Sequence, residues 1–349
     1  MTWMLYGANG YTGQLIAELA VARGERPILA GRSVEKIAPL ATRLGLEHRS
    51  FGLDGAAEAL ADVDVVAHCA GPFSATSAPM VSACLASRTH YVDITGEIDV
   101  FEAVAKQDEA AKAAGVVLLP GAGFDVVPTD CLAALLAAQL PGATHLDLAF
   151  IAGGGLSPGT ARTSVEGTGG GGRARVDGEL RTVPISHRRR VAGFRSGPRD
   201  VGSIPWGDVS TAYRSTGIPN ITTFTLVPGF LGRLHSVFGP LLKTPAVQQV
   251  GRFVVDKFIT GPDEDKRRSS HSEFFGEVAD AEGNRVSLAM TGPNGYSLTA
   301  DSTLRAVLKL ADGGVPAGSH TPSSAFGADF VRELDGVVLG EPKKSARGE

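Results

Sequence analysis

The sequence predicts an α/β chain in two parts. A parallel sheet wound with helices comes first, and a second, mixed α/β domain built on an antiparallel sheet follows. Three observations predict this. Short apolar runs alternate with stretches of helical periodicity over residues 1–125. Glycine-rich turns stand where strands should end. Beyond Leu140 the rhythm changes to paired extended runs with a hairpin signal.

The elements follow in order. Thr2–Tyr6 is an apolar run that stops at G-A-N-G-Y-T-G, with Gly7, Gly10 and Gly13. Leu15, Ile16, Leu19 and Ala20 then repeat at helical spacing, Arg26-Pro27 break the pattern, and Ile28–Ala30 reads as a second strand. Strand, glycine turn, helix and strand make the opening βαβ unit of a Rossmann fold. There the backbone turns tightly against a pyrophosphate, and the helix N-terminus offers free N–H groups and a positive dipole end. The second glycine falls three residues after the first, which departs from G-x-G-x-x-G.

Further strands are expected at His48–Leu53, Val63–Cys69, Tyr91–Ile94 and Val116–Leu119. Helices are expected at Glu35–Leu44, Thr76–Ser87, Val100–Ala114 and Thr129–Leu140. Leu146–Ile151 and Thr182–Val191 read as strands, and Phe274–Asp280 with Arg285–Met290 as a hairpin around Ala281-Glu282-Gly283-Asn284. The expected domains are residues 1–128 and 129–295, with the helical stretches of 296–340 returning to the first. Gly153-Gly154-Gly155 and Gly169–Gly172 read as flexible loop or as backbone near a ligand.

Composition excludes some functions. The formal charge is −4, so nothing favours a nucleic-acid partner, and the short run Arg188-Arg189-Arg190 has no interleaved aromatics. The three cysteines, Cys69, Cys84 and Cys131, lack metal-ligand spacing and fit a reduced, cytoplasmic setting with no metal. The first strand begins at once, without a signal-peptide pattern, and no run is long enough for a membrane span. Leu226–Leu242 is apolar but interrupted; it reads as a buried segment, or as a surface meeting lipid or an acyl substrate.

The tip of the second strand bears on the cofactor. It reads Ala30-Gly31-Arg32-Ser33, with Glu35 a helical turn on, and no carboxylate stands where ribose hydroxyls would be held in an NAD site. Arg32 can pair with a 2′-phosphate and Ser33 can add a hydrogen bond, so NADP(H) is expected.

Three more strand ends matter, because ligands of open α/β sheets sit beyond the carboxyl ends of strands. They are Ala70-Gly71-Pro72-Phe73, the segment Tyr91–Glu97 (YVDITGE), and the loop Pro120–Asp130 (PGAGFDVVPTD). Asp93 or Glu97 could supply a proton if burial raised its pKa, or could serve to organise loops and a helix start. Asp125, Thr129 and Asp130 are also candidate helix caps. His68 reads as a core histidine, His90 as exposed, Cys69 as a packing residue, and Tyr91 as an acid or a core side chain.

GANGYTG, AGR, CAGPF, YVDITGE and GAGFDVVPTD, in this order and spacing, resemble the saccharopine dehydrogenase-like oxidoreductase family. Gly159-Thr160 with Ser164 and Glu166, GYSLTA (Gly295–Ala300) and TPSSAFG (Thr321–Gly327) agree with it more loosely. Short bacterial members and trans-acting enoyl reductases look nearer than lysine-pathway enzymes. The resemblance implies an NADP-type Rossmann domain and a mixed α/β domain that is often a dimer interface, hence a homodimer. It carries a cofactor role onto Gly7, Asn9, Gly10, Tyr11, Thr12, Gly13, Arg32, Ala70, Gly71 and Pro72. It places a substrate cleft near Phe73, Asp93, Thr95, Gly96, Glu97, Phe124 and Asp125.

The expected function is hydride transfer between NADP(H) and a carbonyl, imine or activated alkene of a small or acyl-type substrate. A non-catalytic NADP(H)-binding scaffold and a lysine-pathway dehydrogenase are the alternatives. The latter needs arginines such as Arg162, Arg173 or Arg175 to clamp dicarboxylates. A protein touching lipid through Leu226–Leu242 is a third reading.

Overall fold

A computed structural model gives the fold, and it describes residues 1–155, 157, 171–227, 244 and 261–346. Two units result: residues 1–127 with 296–327, and residues 128–295 with 328–349.

The first unit carries a seven-stranded parallel sheet. Its elements run β1 (Trp3–Tyr6), α1 (Tyr11–Ala22), β2 (Ile28–Gly31), α2 (Val34–Leu44), β3 (His48–Ser50), α3 (Ala56–Ala59), β4 (Val65–His68), α4 (Phe73–Ser87), β5 (His90–Asp93), α5 (Ile98–Ala105), α6 (Asp108–Ala114) and β6 (Val117–Leu119). The sheet order is the short strand Gly318–Ser319, then β6, β5, β4, β1, β2 and β3. Connections run in opposite directions from β1, so the switch point lies between β1 and β4, beside the glycine turn.

Local sequence explains the elements. Strands β1, β2 and β4 are buried along their whole length, as continuous apolar runs in a covered parallel sheet should be. Helix α1 buries Gly13, Ile16, Ala17 and Ala20, which lie three or four residues apart on one face. Helix α2 ends at Gly45, whose φ of 65° is the left-handed cap conformation.

The expected helix Val100–Ala114 is two helices. Asp108 opens the second, and its Oδ1 accepts the Ser319 amide at 2.8 Å, tying that helix to the edge strand. The helix Gly295–Ala311 begins where the second unit ends, and from Tyr296 onward it belongs with the first. Its Asp301 takes Arg23 from the end of α1 at 2.6 Å.

The second unit holds a ten-stranded mixed sheet. The helix α7 (Val127–Gln139) leads into β7 (His145–Ile151). Strands β8 (Gly172–Val176), β9 (Glu179–Val183), β10 (Arg189–Phe194), β11 (Gly197–Ile204) and β12 (Asn220–Thr225) follow, then β13 (His271–Ala279) and β14 (Arg285–Pro293). All pairings are antiparallel except β7 with β12. The β13–β14 hairpin turns at the expected residues: Asp280 accepts the Asn284 amide at 2.8 Å, and Gly283 has φ 91°. Helix α7 covers one face, and Gly276 must lack a side chain because a Cβ there would stand 3.2 Å from Leu132.

Two expectations need correction in this unit. Thr182–Val191 is not one strand: Pro184 has no N–H to donate, Ser186 sits at φ 58°, and the chain turns between β9 and β10. Residues 328–340 do not return to the first unit, because Val338–Leu339 pairs with Met290 and Thr291 of β14. Helix Asp208–Thr216 was not expected at all.

The run Arg188-Arg189-Arg190 is neutralised within this sheet. Arg188 makes two parallel bonds of 2.9 Å to Asp147, Arg190 bridges Asp147 (2.7 Å) and Glu277 (3.0 Å), and Arg189 pairs with Asp200 at 2.6 Å. Each of the three guanidiniums therefore has a carboxylate partner in this network. No helix among the described residues is long and apolar enough to cross a membrane.

Candidate active site in the nucleotide unit

The glycine turn is built by close backbone contact. Gly7 has φ 87° and donates to Ala30 O at 2.8 Å, which ties the end of β1 to β2. A Cβ on Gly7 would lie 2.8 Å from the Cys69 carbonyl carbon and the Ala70 nitrogen. Gly10 donates to Gly7 O at 3.0 Å, and a Cβ on Gly13 would press on Gly7 O and come within 2.9 Å of Ala8 Cα. Gly7 and Gly13 are therefore needed for specific close approaches, Gly7 also for its left-handed φ.

Helix α1 starts at this turn with no side-chain cap at Gly10 and no acidic residue in its first turn. Its leading N–H groups and dipole end are thus available to an anion. Asn9 is exposed and Thr12 partly so. Tyr11 packs edge-on against Tyr296, ring centres 4.9 Å apart, and so ties the motif to the helix Gly295–Ala311. Sequence reasoning gave Tyr296 no role; its only signal was the GYSLTA segment.

At the tip of β2, Arg32 is exposed and makes no ion pair among the described residues. Ser33 does not stand free beside it. Its hydroxyl donates to Glu35 Oε2 at 2.7 Å, a bond that holds the Glu35 carboxyl below the usual range. The helical-turn separation in sequence therefore does not keep this carboxylate away from the strand tip.

The end of β4 carries the small-residue turn. Gly71 is exposed, and a Cβ there would make only ordinary contact with the Phe73 ring at 3.6 Å. Thr76 Oγ1 lies within hydrogen-bond distance of both Ala70 O (2.7 Å) and Pro72 O (3.0 Å), and its single proton ties the turn to α4. Pro72 stands at the N-cap of α4, and Phe73 is buried with its ring 5.3 Å from His68.

Behind the turn lies a buried polar chain. His68 Nδ1 is 3.2 Å from the Tyr91 hydroxyl, which donates to Asp93 Oδ2 at 2.6 Å and lies 3.3 Å from Ser77. Asp93 Oδ1 also accepts the amides of Thr95 (3.0 Å) and Gly121 (2.8 Å). Asp93 is fully buried, and burial raises its pKa to about 6 against the lowering effect of these bonds. Burial lowers His68 to about 3, with slight opposing support from the Ala70 backbone. Among the described residues His68 Nε2 finds no hydrogen-bond partner, so this core histidine is only half satisfied there. Burial, with the Asp93 charge, pushes the Cys69 thiol up, which makes it a poor nucleophile.

Glu97 is equally occupied. Its Oε1 accepts Phe73 N at 2.9 Å and its Oε2 accepts Ser74 N at 2.8 Å, so it caps α4 across space while standing at the N-cap of α5. Thr95 is buried and its hydroxyl accepts Glu97 N at 3.1 Å. Asp93 and Glu97 thus hold loops together through these bonds.

Asp125 differs. It is partly accessible as a residue, yet its carboxyl is enclosed, and burial raises its pKa to about 7. Gly96 must lack a side chain, because a Cβ would come within 3.1 Å of the Asp125 carboxyl carbon. Phe124 N donates to Thr299 Oγ1 at 3.0 Å, and Ser302 donates to Ala122 O at 2.7 Å, so the helix Gly295–Ala311 clasps this loop. Asp125, Gly96 and Phe124 therefore gather at the carboxyl ends of β5 and β6.

Other candidates fall elsewhere. His90 Nδ1 accepts the Val117 amide at 3.0 Å, so it is a half-buried structural histidine rather than an exposed one. Thr129 donates to Asp208 Oδ1 at 2.6 Å and Asp130 accepts from Ser215, both within the second unit. Arg175 is buried, donates to Val209 O (2.6 Å) and Gly178 O (2.9 Å), and stacks on Tyr213, so it cannot clamp a dicarboxylate. Thr321 and Ser324 form a capping box on the helix Pro322–Phe326. Arg162, Gly159-Thr160, Ser164, Glu166, Gly169-Gly170 and nearly all of Leu226–Leu242 lie outside the described residues. Among the described residues no cluster of His, Cys, Asp or Glu has the geometry of a metal site.

The comparisons with known proteins bear on this same unit. Residues 3–119 match the family described as the saccharopine dehydrogenase NADP binding domain. The matched residues lie within the first unit, which is similar to that domain from β1 to β6. The chain is 34% identical over 138 residues to a trans-acting enoyl reductase of Mycobacterium leprae, and 33% identical over 138 residues to that of Mycobacterium bovis. The matched stretch is 36% of this chain and spans 33% of the length of each relative. Among solved structures, saccharopine dehydrogenase (L-Glu forming) from Saccharomyces cerevisiae superposes with a TM-score of 0.65 at 14% identity, over 99% of this chain and 100% of that one. The α/β fold, a Rossmann unit followed by a mixed-sheet unit, is that of saccharopine dehydrogenase.

Proposed function

We propose that the chain is an NADPH-dependent oxidoreductase acting on a carbonyl, imine or activated alkene of a small or acyl-type substrate. The observation that carries this is the nucleotide turn. An uncapped helix N-terminus behind Gly7, Gly10 and Gly13 and a cation without an ion pair at Arg32 fit a pyrophosphate and a 2′-phosphate. Gly7, Asn9, Gly10, Tyr11, Thr12 and Gly13 would hold the pyrophosphate, Arg32 and Ser33 the 2′-phosphate, and Ala70, Gly71 and Pro72 the ribose and nicotinamide. When bound, the reduced nicotinamide supplies the hydride. The names of the relatives favour the activated alkene among the substrate classes.

In this reading Asp93 and Glu97 are positioning residues and Asp125 is the proton donor. Asp125 has the enclosure and the raised pKa that a donor working near neutral pH needs. Phe73, Thr95, Gly96 and Phe124 shape its surroundings. The test is the pH dependence of kcat for NADPH-driven reduction of a panel of enoyl thioesters. Rate should fall as pH rises through about 7, with Asp125→Asn losing both the limb and most of the turnover.

The occupied carboxylates Asp93 and Glu97 favour a second reading, a non-catalytic NADP(H)-binding scaffold. Tight NADPH binding with no turnover across carbonyl, imine and alkene panels would establish it instead.

A further inference from the structure

We propose that Glu35 determines cofactor choice: it competes with the 2′-phosphate of NADP(H) for the Ser33 hydroxyl and serves as the ribose acceptor for NAD(H), so that the chain binds both cofactors. This rests on the cofactor reading above.

The argument starts from one proton. A 2′-phosphate needs a cation and a hydrogen-bond donor, and the strand tip offers Arg32 and the Ser33 hydroxyl. Ser33 stands at the N-cap of α2 with extended backbone, φ −124° and ψ 115°, the usual place for a hydroxyl that accepts a helix amide. It makes no such cap. Its proton goes to Glu35 Oε2 at 2.7 Å.

A hydroxyl donates once, so Ser33 cannot hold Glu35 and a phosphate together. NADP(H) must take the donor from Glu35 and then sit beside a like charge. Arg32 offsets that repulsion, and the exposure of Glu35 lets its side chain swing away. The 2′-hydroxyl of NAD(H) is itself a donor and meets in Glu35 a ready acceptor, the role an acidic residue plays in NAD sites. Arg32 and Glu35 therefore pull in opposite directions at one tip. Asn9 closes the turn beside it, its Oδ1 standing 3.4 Å from where a Cβ on Gly31 would be.

The test is direct binding, read by nicotinamide fluorescence, of NADPH and NADH to the full chain. Wild type, Glu35→Gln and Ser33→Ala are compared, with circular dichroism to check folding. Wild type should bind both cofactors. Glu35→Gln should shift the ratio of the two Kd values toward NADPH by about threefold or more, the scale of an exposed charge interaction. Ser33→Ala should weaken NADPH and leave NADH within twofold of wild type. Two bound cofactors whose ratio is unmoved in a folded Glu35→Gln would overturn the proposal alone. A wild type that binds neither would overturn the cofactor reading, and this proposal with it.

Discussion

Removing one buried oxygen atom should loosen the nucleotide unit. Tyr91→Phe deletes the hydroxyl that donates to Asp93 Oδ2 at 2.6 Å and contacts His68 Nδ1 at 3.2 Å and Ser77 at 3.3 Å. Ring packing is unchanged, so the perturbation is purely polar. Asp93 is fully buried and keeps only the amides of Thr95 and Gly121 on its other oxygen. A hydrogen bond to a charged group contributes about 1.5–3 kcal/mol, and an acceptor left buried without a partner adds its own desolvation. A loss of about 2–4 kcal/mol follows, which for a unit of this size lowers Tm by roughly 5–15 °C. The loss of the Tyr91 donor also drives the Asp93 pKa further above about 6, because that bond is the strongest influence lowering it. Differential scanning calorimetry of wild type and variant at pH 7.5 is the assay. A Tm change under about 2 °C at this size would refute the view that Tyr91 and Asp93 form a strained-if-broken link behind the cofactor turn.

Other outcomes follow from the same geometry. Glu97→Ala removes the carboxylate that accepts Phe73 N and Ser74 N, so it should cost about 1 kcal/mol and a few degrees of Tm. His68 folds neutral with its pKa lowered to about 3, so its contribution to stability is full above 6.5 and is lost as pH falls toward 3. Asp93 runs the other way: raised from 3.8 to about 6, it favours folding at low pH and loses that contribution as pH rises through this window. His68→Asn should therefore gain stability relative to wild type when Tm is measured at pH 4.5 rather than 7.5. Asp125, raised from 3.8 to about 7, carries a charge penalty above neutrality. Asp125→Asn should accordingly melt higher than wild type at pH 8 while losing activity, and a variant both less stable and fully active would reject the assigned role.

The sequence was most legible where local rules and fold agree. Gly7 and Gly13 announce the turn because only glycine permits those approaches, and β1, β2, β4 and β6 appear as apolar runs because both faces of a parallel sheet are covered. Legibility failed where distant atoms decide. Spacing suggests Glu35 stands off from the strand tip, but a side chain reaches back to Ser33. Asp93 and Glu97 look like acids on any list of strand-end carboxylates, and only the structure reveals the donors facing them, from residues 73, 74, 91, 95 and 121. Helix Asp208–Thr216 escaped notice because its apolar stripe is only Val209, Ala212 and Tyr213, and Asp208, Ser210 and Thr211 are buried beside it. The division after Gly327 follows from strand pairing of Val338–Leu339 that no local pattern encodes.

The central claim is that the first unit holds NADP(H) through the glycine turn and Arg32. Calorimetric titration of NADPH into wild type and Arg32→Glu tests it most directly, since Arg32 is exposed and its replacement leaves the core untouched. The account predicts one site per chain in wild type and a loss of affinity of at least tenfold for NADPH, with little loss for NADH, in the variant. Equal NADPH affinity in both proteins, or no heat of binding in wild type, would contradict it.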